Sequence, residues 1–406
     1  MRFVVAQSGA RHGYAVPMIL ERAGMLERFY TDMCASIGLG KALASAARLP
    51  FVGSAPQRLR SRILPRELIP KTTAFEYETI AYMLCSRLAK SEAAEQFAIS
   101  SHGQQRIGRA MVRQGFGEAS HVYSMFGEFA PLLVAADMHG LKIVSEVYIL
   151  LSTERIVARE QKEFSDWEQP PLDSVRIHRA LFGEHSLIER SDFFICPSPA
   201  VQTDLVESYG IDFERTRIVP YGVDPKWFKI ESMPVLRRVL FVGTANLRKG
   251  IHYLAMACEK LRRAGIHCEF RVAGNASAAV RNQRICSNLN FLGRISRERL
   301  REEFVCADVF VLPSLAEGSA EATFEALAAG VPVVVTAAVG SIARDGIEGR
   351  VVPERDPIRL ADAIQEIVED RELRTRMSIA ARARASNYTC DNYGERLIST
   401  LRSWAA

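Results

Sequence analysis

The sequence predicts two α/β domains, each a parallel sheet covered on both faces by helices. Three observations carry this. The chain has 406 residues, too many for one ordinary hydrophobic core and suited to two domains. Short apolar runs alternate with amphipathic helical patterns, the signature of βαβ units. The alternation occurs twice, on either side of a join near residues 224–235, so each half is a Rossmann-like domain.

In the first half the strand candidates are residues 2–6, 121–124, 142–147, 193–196 and 217–219. A loop at 7–13 follows the first strand, and a helix near 16–26 follows the loop. In the second half the candidates are 238–242, 269–273, 290–292, 309–312 and 332–336. Residues 326–343 are eighteen positions without a charge and imitate a membrane span. Gly330 and Pro332 interrupt them, and the following valines read as a helix end, a turn and a buried strand. The expected division is 1–228, 229–386, and a final helix within 387–406 that crosses back to the first domain.

Apolar residues make up 48% of the chain and charged residues 24%, with a formal net charge of +5. That is the composition of a globular enzyme, and the mild charge calls for no nucleic-acid partner. The eight cysteines form neither a C-x-x-C pair nor a zinc spacing, so reduced core thiols in a cytosolic protein are expected. The N-terminus carries no apolar run of signal-peptide length. Residues 41–71 hold Lys41, Arg48, Arg58, Arg60, Arg62, Arg66 and Lys71 against Glu67 alone. Leu59, Ile63, Leu64, Leu68 and Ile69 are interleaved with them. A surface of this kind can lie on anionic lipid, whereas an ordinary solvated helix with one packed side has the same pattern.

The sharpest chemical signal is Glu317-Gly318-Ser319-Ala320-Glu321-Ala322-Thr323-Phe324-Glu325. It follows the strand at 309–312. A helix starting near Ser319 would aim its free N–H groups and positive dipole end at a cleft. At about 1.5 Å per residue, Glu317 and Glu325 would bracket a diphosphate. Two solvent-facing glutamates would show the same spacing. The second signal is Gly243-Thr244-Ala245-Asn246-Leu247-Arg248-Lys249-Gly250, at the end of another strand. Gly243 permits a tight turn, and Arg248 and Lys249 supply cations for phosphate oxygens. The loop is not a P-loop. Both loops follow strands of one sheet, where such domains bind their ligands.

These motifs, together with Glu189-Arg190-Ser191-Asp192, Pro220-Tyr221-Gly222, Asn290-Phe291-Leu292-Gly293 and Ala307-Asp308-Val309-Phe310, resemble the family 4 glycosyltransferases in content and order. The resemblance runs from about residue 189 to the C-terminus and is weaker before it. It implies a GT-B fold, with two Rossmann-like domains facing across a cleft. It implies retaining transfer of a sugar from a nucleotide-diphosphate sugar to an acceptor hydroxyl, in bacterial polysaccharide or glycolipid synthesis. Glu325 would bind the ribose and Glu317 the donor sugar. Lys249 and Arg248 would serve the diphosphate. Gly243, Gly318, Ser319 and Ala320 would border the nucleotide, and Gly293-Arg294 would lie near the base. Gly13 would close over the phosphates or the reacting carbon.

Three positions depart from the family's pattern. Thr244 stands where an arginine is common, Tyr221 where asparagine is usual, and Tyr148, beside Glu146, where a histidine often lies near the sugar. His12 and Glu128 are further first-domain candidates. No D-x-D occurs in the sequence, so neither a metal nor another cofactor is expected. The acceptor would be a glycan, a lipid-linked molecule or a small molecule. The enzyme would be cytoplasmic or peripheral on the inner membrane face. Competing readings are an inactive scaffold of the same fold, or a nucleotide-sugar epimerase or phosphorylase.

Overall fold

A computed structural model describes residues 1–46, 59, 62–88, 93–168 and 187–404. The first sheet has seven parallel strands: β1 (Phe3–Gln7), β2 (Leu26–Thr31), β3 (Thr72–Ala74), β4 (His121–Met125), β5 (Lys142–Glu146), β6 (Phe193–Cys196) and β7 (Thr216–Ile218). Their order is β3-β2-β1-β4-β5-β6-β7. The second sheet has six: β8 (Arg238–Val242), β9 (Glu269–Ala273), β10 (Leu289–Gly293), β11 (Val309–Leu312), β12 (Val333–Thr336) and β13 (Gly349–Val352), in the order β10-β9-β8-β11-β12-β13. Within each sheet the winding reverses beside the first strand, between β1 and β4 and between β8 and β11. Such switch points open a crevice at the carboxyl ends of the strands.

Two-sided burial explains the composition of the central strands. All four residues of β11 and of β12 are buried, so neither strand alternates polar with apolar. Several sequence expectations need correction. The helix after the first loop is Ala15–Arg22 and stops before β2, a strand with no counterpart in the sequence reading. Glu27 and Arg28 interrupt the apolar run there.

The division at residue 228 also fails locally. The helix Thr153–Glu163 precedes β6 in the chain, yet it packs on the second domain, and Trp167 belongs to the second domain's core. Glu160, fully buried, ties this strap down. Its carboxylate meets His252 Nε2 at 2.9 Å, Tyr253 Oη at 2.5 Å and Arg355 Nε at 2.9 Å.

The helix Cys390–Ser403 lies on the first domain. Thr389 caps it, its hydroxyl accepting from the Asn392 N–H. Tyr393, Leu397 and Leu401, spaced four apart on one face, enter the first domain's core beside Phe3, Val5 and Tyr14. Trp404 stacks on Phe193 at 4.4 Å. The chain crosses itself closely on the way: a Cβ at Gly222 would stand 2.6 Å from the Thr389 carbonyl oxygen, so only glycine fits.

The described part of residues 41–71 is not a single free amphipathic surface. Leu59, Leu64 and Leu68 are buried in the first domain. Arg62 pairs with Asp32 at 2.7 Å and Lys71 with Glu21 at 2.7 Å. Arg48, Arg58 and Arg60 lie outside the described residues.

Candidate active site at the domain cleft

The loop after β8 and the loop after β11 meet. Gly243 has φ +144°, and a Cβ there would lie 3.3 Å from Lys249 Cε, so the turn and the lysine share space that a side chain would take. The Arg248 carbonyl accepts from the Leu315 N–H at 2.8 Å, which fixes one loop on the other. Arg248 Nη1 then donates to Glu317 Oε1 at 2.5 Å and to the Ala316 carbonyl at 2.8 Å. Lys249 Nζ reaches the same Glu317 oxygen at 2.6 Å. Burial lowers the lysine's pKa, and the Glu317 carboxylate only partly offsets it. Arg248 and Lys249 are therefore not free cations in this state: one carboxylate oxygen holds both.

The helix of the glutamate motif is Glu321–Ala328, starting two residues later than expected. Ala320, at its N-cap, offers no side-chain cap, so no side chain shields the first N–H groups. Ser319 is spent elsewhere, donating to the Gly340 carbonyl at 3.1 Å. The Gly318 carbonyl accepts from Ser198 Oγ of the first domain at 2.5 Å. A Cβ on Gly318 would stand 1.8 Å from the Tyr148 carbonyl oxygen, so this glycine lets the two domains touch. Glu325 is buried and pairs with Arg297 through Oε1. Burial raises its pKa, against the pull of Arg297. Arg294, by contrast, is exposed. Gly293 takes φ +67° at the end of β10 and accepts from the Gly274 N–H at 2.9 Å.

The first domain supplies the opposite wall. Arg11–Gly13 is a single 3-10 turn, and His12, Gly13 and Tyr14 all have positive φ. For the two non-glycines this costs about 1–2 kcal/mol each, so the surroundings must fix the loop. They do. His12 Nδ1 lies 2.6 Å from Glu321 Oε1, across the cleft, and its ring packs on Tyr221 with centroids 4.1 Å apart. Tyr221 donates to buried Glu146 at 2.7 Å, and Tyr123 donates to the other oxygen of that carboxylate. Arg11 pairs with Glu128 at 3.0 Å and sits 4.0 Å over the Tyr148 ring. Burial alone would depress the His12 pKa, but the hydrogen bond and charge of Glu321, aided by Glu146, raise it overall. Glu321 is lowered in return.

His12, Gly13, Tyr221, Arg297, Glu321 and Glu325 line one cavity of about 800 Å³. Arg248, Lys249 and Glu317 form a second cluster on the motif's other side. The two are joined by the uncapped helix start. Sequence reading singled out Glu317 and Glu325, one in each cluster, but passed over Arg297 and Glu321. Arg297 lies three positions past Arg294, and only the turn of its helix brings it onto Glu325. Among the described residues no group of three or more His, Cys, Asp or Glu side chains is placed to hold a metal.

Comparison with known proteins supports the same reading. Residues 237–370 match the family model described as glycosyl transferases group 1. A D-inositol 3-phosphate glycosyltransferase of Paenarthrobacter aurescens is 26% identical over 326 residues, 74% of this chain and 76% of its own length. One from Geodermatophilus obscurus is 30% identical over 253 residues, 55% of each chain. This chain thus spans between about half and three quarters of these curated relatives. The structure is similar to sucrose-phosphate synthase from Thermosynechococcus elongatus (TM-score 0.66, 16% identity, 100% and 99% of the two chains). It is also similar to Anabaena HepE crystallised with UDP and glucose (TM-score 0.64, 16% identity, 99% and 100%). These likenesses show the GT-B fold.

Proposed function

We propose that this chain, whose residues 237–370 match the family model described as glycosyl transferases group 1, transfers a sugar from a nucleotide-diphosphate sugar to an acceptor hydroxyl, with retention at the anomeric carbon. One observation carries the reading. Two cations and a glutamate, from the loops after β8 and β11, gather beside an uncapped helix start, and Glu325 faces the cavity from that same helix. A uridine nucleotide is the first donor to test, because HepE crystallised with UDP and with UDP-glucose.

In this reading Glu325 keeps Arg297 on Oε1 and offers Oε2 to the ribose hydroxyls. Glu317 likewise engages Arg248 and Lys249 through Oε1 and offers Oε2 to hydroxyls of the donor sugar. As the glycosidic bond breaks, the ring becomes oxocarbenium-like and charge builds on the departing phosphate. Lys249, Arg248 and the N–H groups at Glu321–Ala328 stabilise that charge in place of a metal. The pathway is bacterial polysaccharide or glycolipid assembly, and the enzyme works in the cytoplasm, in part on the inner membrane face. Among the described residues no helix is long and apolar enough to cross a membrane. Lys41 and Arg66 are exposed, as are Leu39, Leu43, Ile63 and Ile69, and these make the anionic-membrane contact.

The test is turnover. Purified enzyme with UDP-sugars and a panel of hydroxyl acceptors should release UDP only with an acceptor, and the product's anomeric proton coupling should match the donor's. Bare isomerisation of the donor, or a product of inverted configuration, contradicts the proposal. Co-sedimentation with anionic vesicles should fall when Lys41 and Arg66 become glutamine; equal binding to neutral vesicles removes the membrane contact.

A further inference from the structure

The first domain has a second cavity, of about 640 Å³, a size suited to a ligand of drug-like dimensions. It opens at the carboxyl ends of β1 and β2. Its floor and walls come from the helices Glu76–Leu88 and Ala93–Gln114, and Ile80, Met83, Leu84 and Ile107 make them apolar. These helices approach closely because Gly103 lies against the Tyr82 ring, where a Cβ would stand 2.6 Å from a ring carbon. Leu84 is 54% exposed, an apolar rim facing solvent.

Three polar features break the apolar lining. Asp32 holds the cleft loop by accepting from the Gly9 N–H at 3.0 Å and pairs with Arg62. Arg87 also lines the cavity and has no ion pair among the described residues. Two arginines against one aspartate leave one positive charge in the lining. Gln104 Oε1 is buried in the cavity wall without a hydrogen-bond partner among the described residues, and a buried amide oxygen left unsatisfied costs about 1–3 kcal/mol. Ser8 lines this cavity, and His12 and Gly13, four and five residues further along the same loop, line the donor cleft; Asp32 is tied to that loop through the Gly9 N–H.

We propose that this cavity takes the apolar chain of an amphiphilic acceptor whose anionic, phosphate-bearing head lies toward Arg62 and Arg87 and delivers its hydroxyl to the cleft. The assignment rests on the glycosyltransferase reading for the hydroxyl's fate, but the binding site stands on its own geometry. The alkyl chain fills the apolar walls. A donor group on the head, such as a hydroxyl, meets Gln104. A free sugar would leave these walls unfilled.

Alkyl phosphates of increasing length, used below their aggregation concentrations, test this by isothermal titration. From butyl to hexyl to octyl phosphate, affinity should rise about three- to fourfold per added CH₂, and inorganic phosphate should bind far more weakly than octyl phosphate. Ser100→Trp, which fills the cavity from its wall, should abolish the chain-length dependence. Met138→Ser, on an exposed position of another helix, should preserve it. UDP titrated in parallel reports the donor cleft separately and should bind wild type and Ser100→Trp alike. Affinity independent of chain length, or unchanged in Ser100→Trp, overturns the cavity assignment. Failure of UDP to bind wild type, with the chain-length series intact, overturns the donor reading instead.

Discussion

Glu317 holds two cations on one oxygen, so replacing it changes more than a sugar contact. In Glu317→Gln the buried Lys249 loses the carboxylate that partly offsets its desolvation. Its already lowered pKa should fall further. A lysine loses its charge as pH rises through its pKa, so the alkaline limb of the pH–rate profile should move to lower pH in the variant, along with a drop in turnover. A profile that keeps its alkaline limb would show that Lys249 does not serve the reaction. Under the proposed mechanism Lys249 acts on charge that develops in the transition state, so Lys249→Met should lower kcat more than it weakens donor binding.

His12 gives a second residue-level prediction. Its folded pKa is raised from the ordinary 6.5. The stability it contributes is therefore fully present below pH 6.5 and is lost as pH rises through the folded value. Glu321 is half exposed, so screening limits the pair to about 1 kcal/mol. Thermal melts of wild type and His12→Asn, a residue that tolerates the left-handed backbone, should differ at pH 6 and converge by pH 9. A gap that is constant with pH would assign the pair no electrostatic role. His12 was visible in the sequence as a candidate, but its partner was not. Glu321 looks like an ordinary helix-surface residue until the two domains are placed face to face.

At the scale of elements, the strap Thr153–Glu163 is the part that chain order hides. Glu160 accepts from His252 and Tyr253, in the first turn of the helix that follows the Lys249 loop, and Glu168 Oε1 accepts from the Leu247 N–H in that loop at 2.7 Å. The strap therefore braces the loop that carries Lys249. Glu160→Ala leaves Arg355 without this carboxylate partner and His252 without its hydrogen bond, and breaking a buried pair costs about 3–5 kcal/mol. Calorimetry should show a fall in Tm of roughly 6–20 °C for a domain of this size. A shift below 2 °C would mean the strap carries little of the packing.

The sequence-legible elements were those with continuous apolar runs, such as β8, β11 and β12. β3 has three residues of middling hydropathy, Thr72, Thr73 and Ala74, and β13 begins Gly349-Arg350, so neither shows an apolar run. The donor helix was misplaced by two residues because Ser319 resembles an N-cap, while its hydroxyl is drawn to Gly340.

For the whole molecule, three ties hold the domains together: the strap, the helix Cys390–Ser403, and the cleft contacts of His12, Ser198 and Gly318. The two-domain plan was readable from length and alternation, whereas the ties are long-range and leave no local pattern. The strap also sets an acid limit. Burial keeps the His252 pKa below 6.5, so the unfolded chain takes up its proton first and stability falls as pH drops below 6.5. Burial of Glu160 works to raise its pKa, but the hydrogen bonds from His252 and Tyr253 outweigh it and hold it below 4.5. Its contribution is lost as pH falls through that lowered value. Below pH 6, where the His12 pair is already formed, unfolding by denaturant should show stability falling between pH 6 and pH 4, and a flat response over that interval would contradict it.

The central claim is that a nucleotide diphosphate binds in the cleft with Glu325 on its ribose. Isothermal titration of UDP into wild type and Glu325→Gln tests it most directly, because glutamine keeps the side chain's size and removes only the charge. A charge-assisted hydrogen bond is worth roughly 1.5–3 kcal/mol, so UDP should bind wild type about ten- to a hundredfold more tightly than the variant. Equal affinity of the two proteins for UDP would contradict the account.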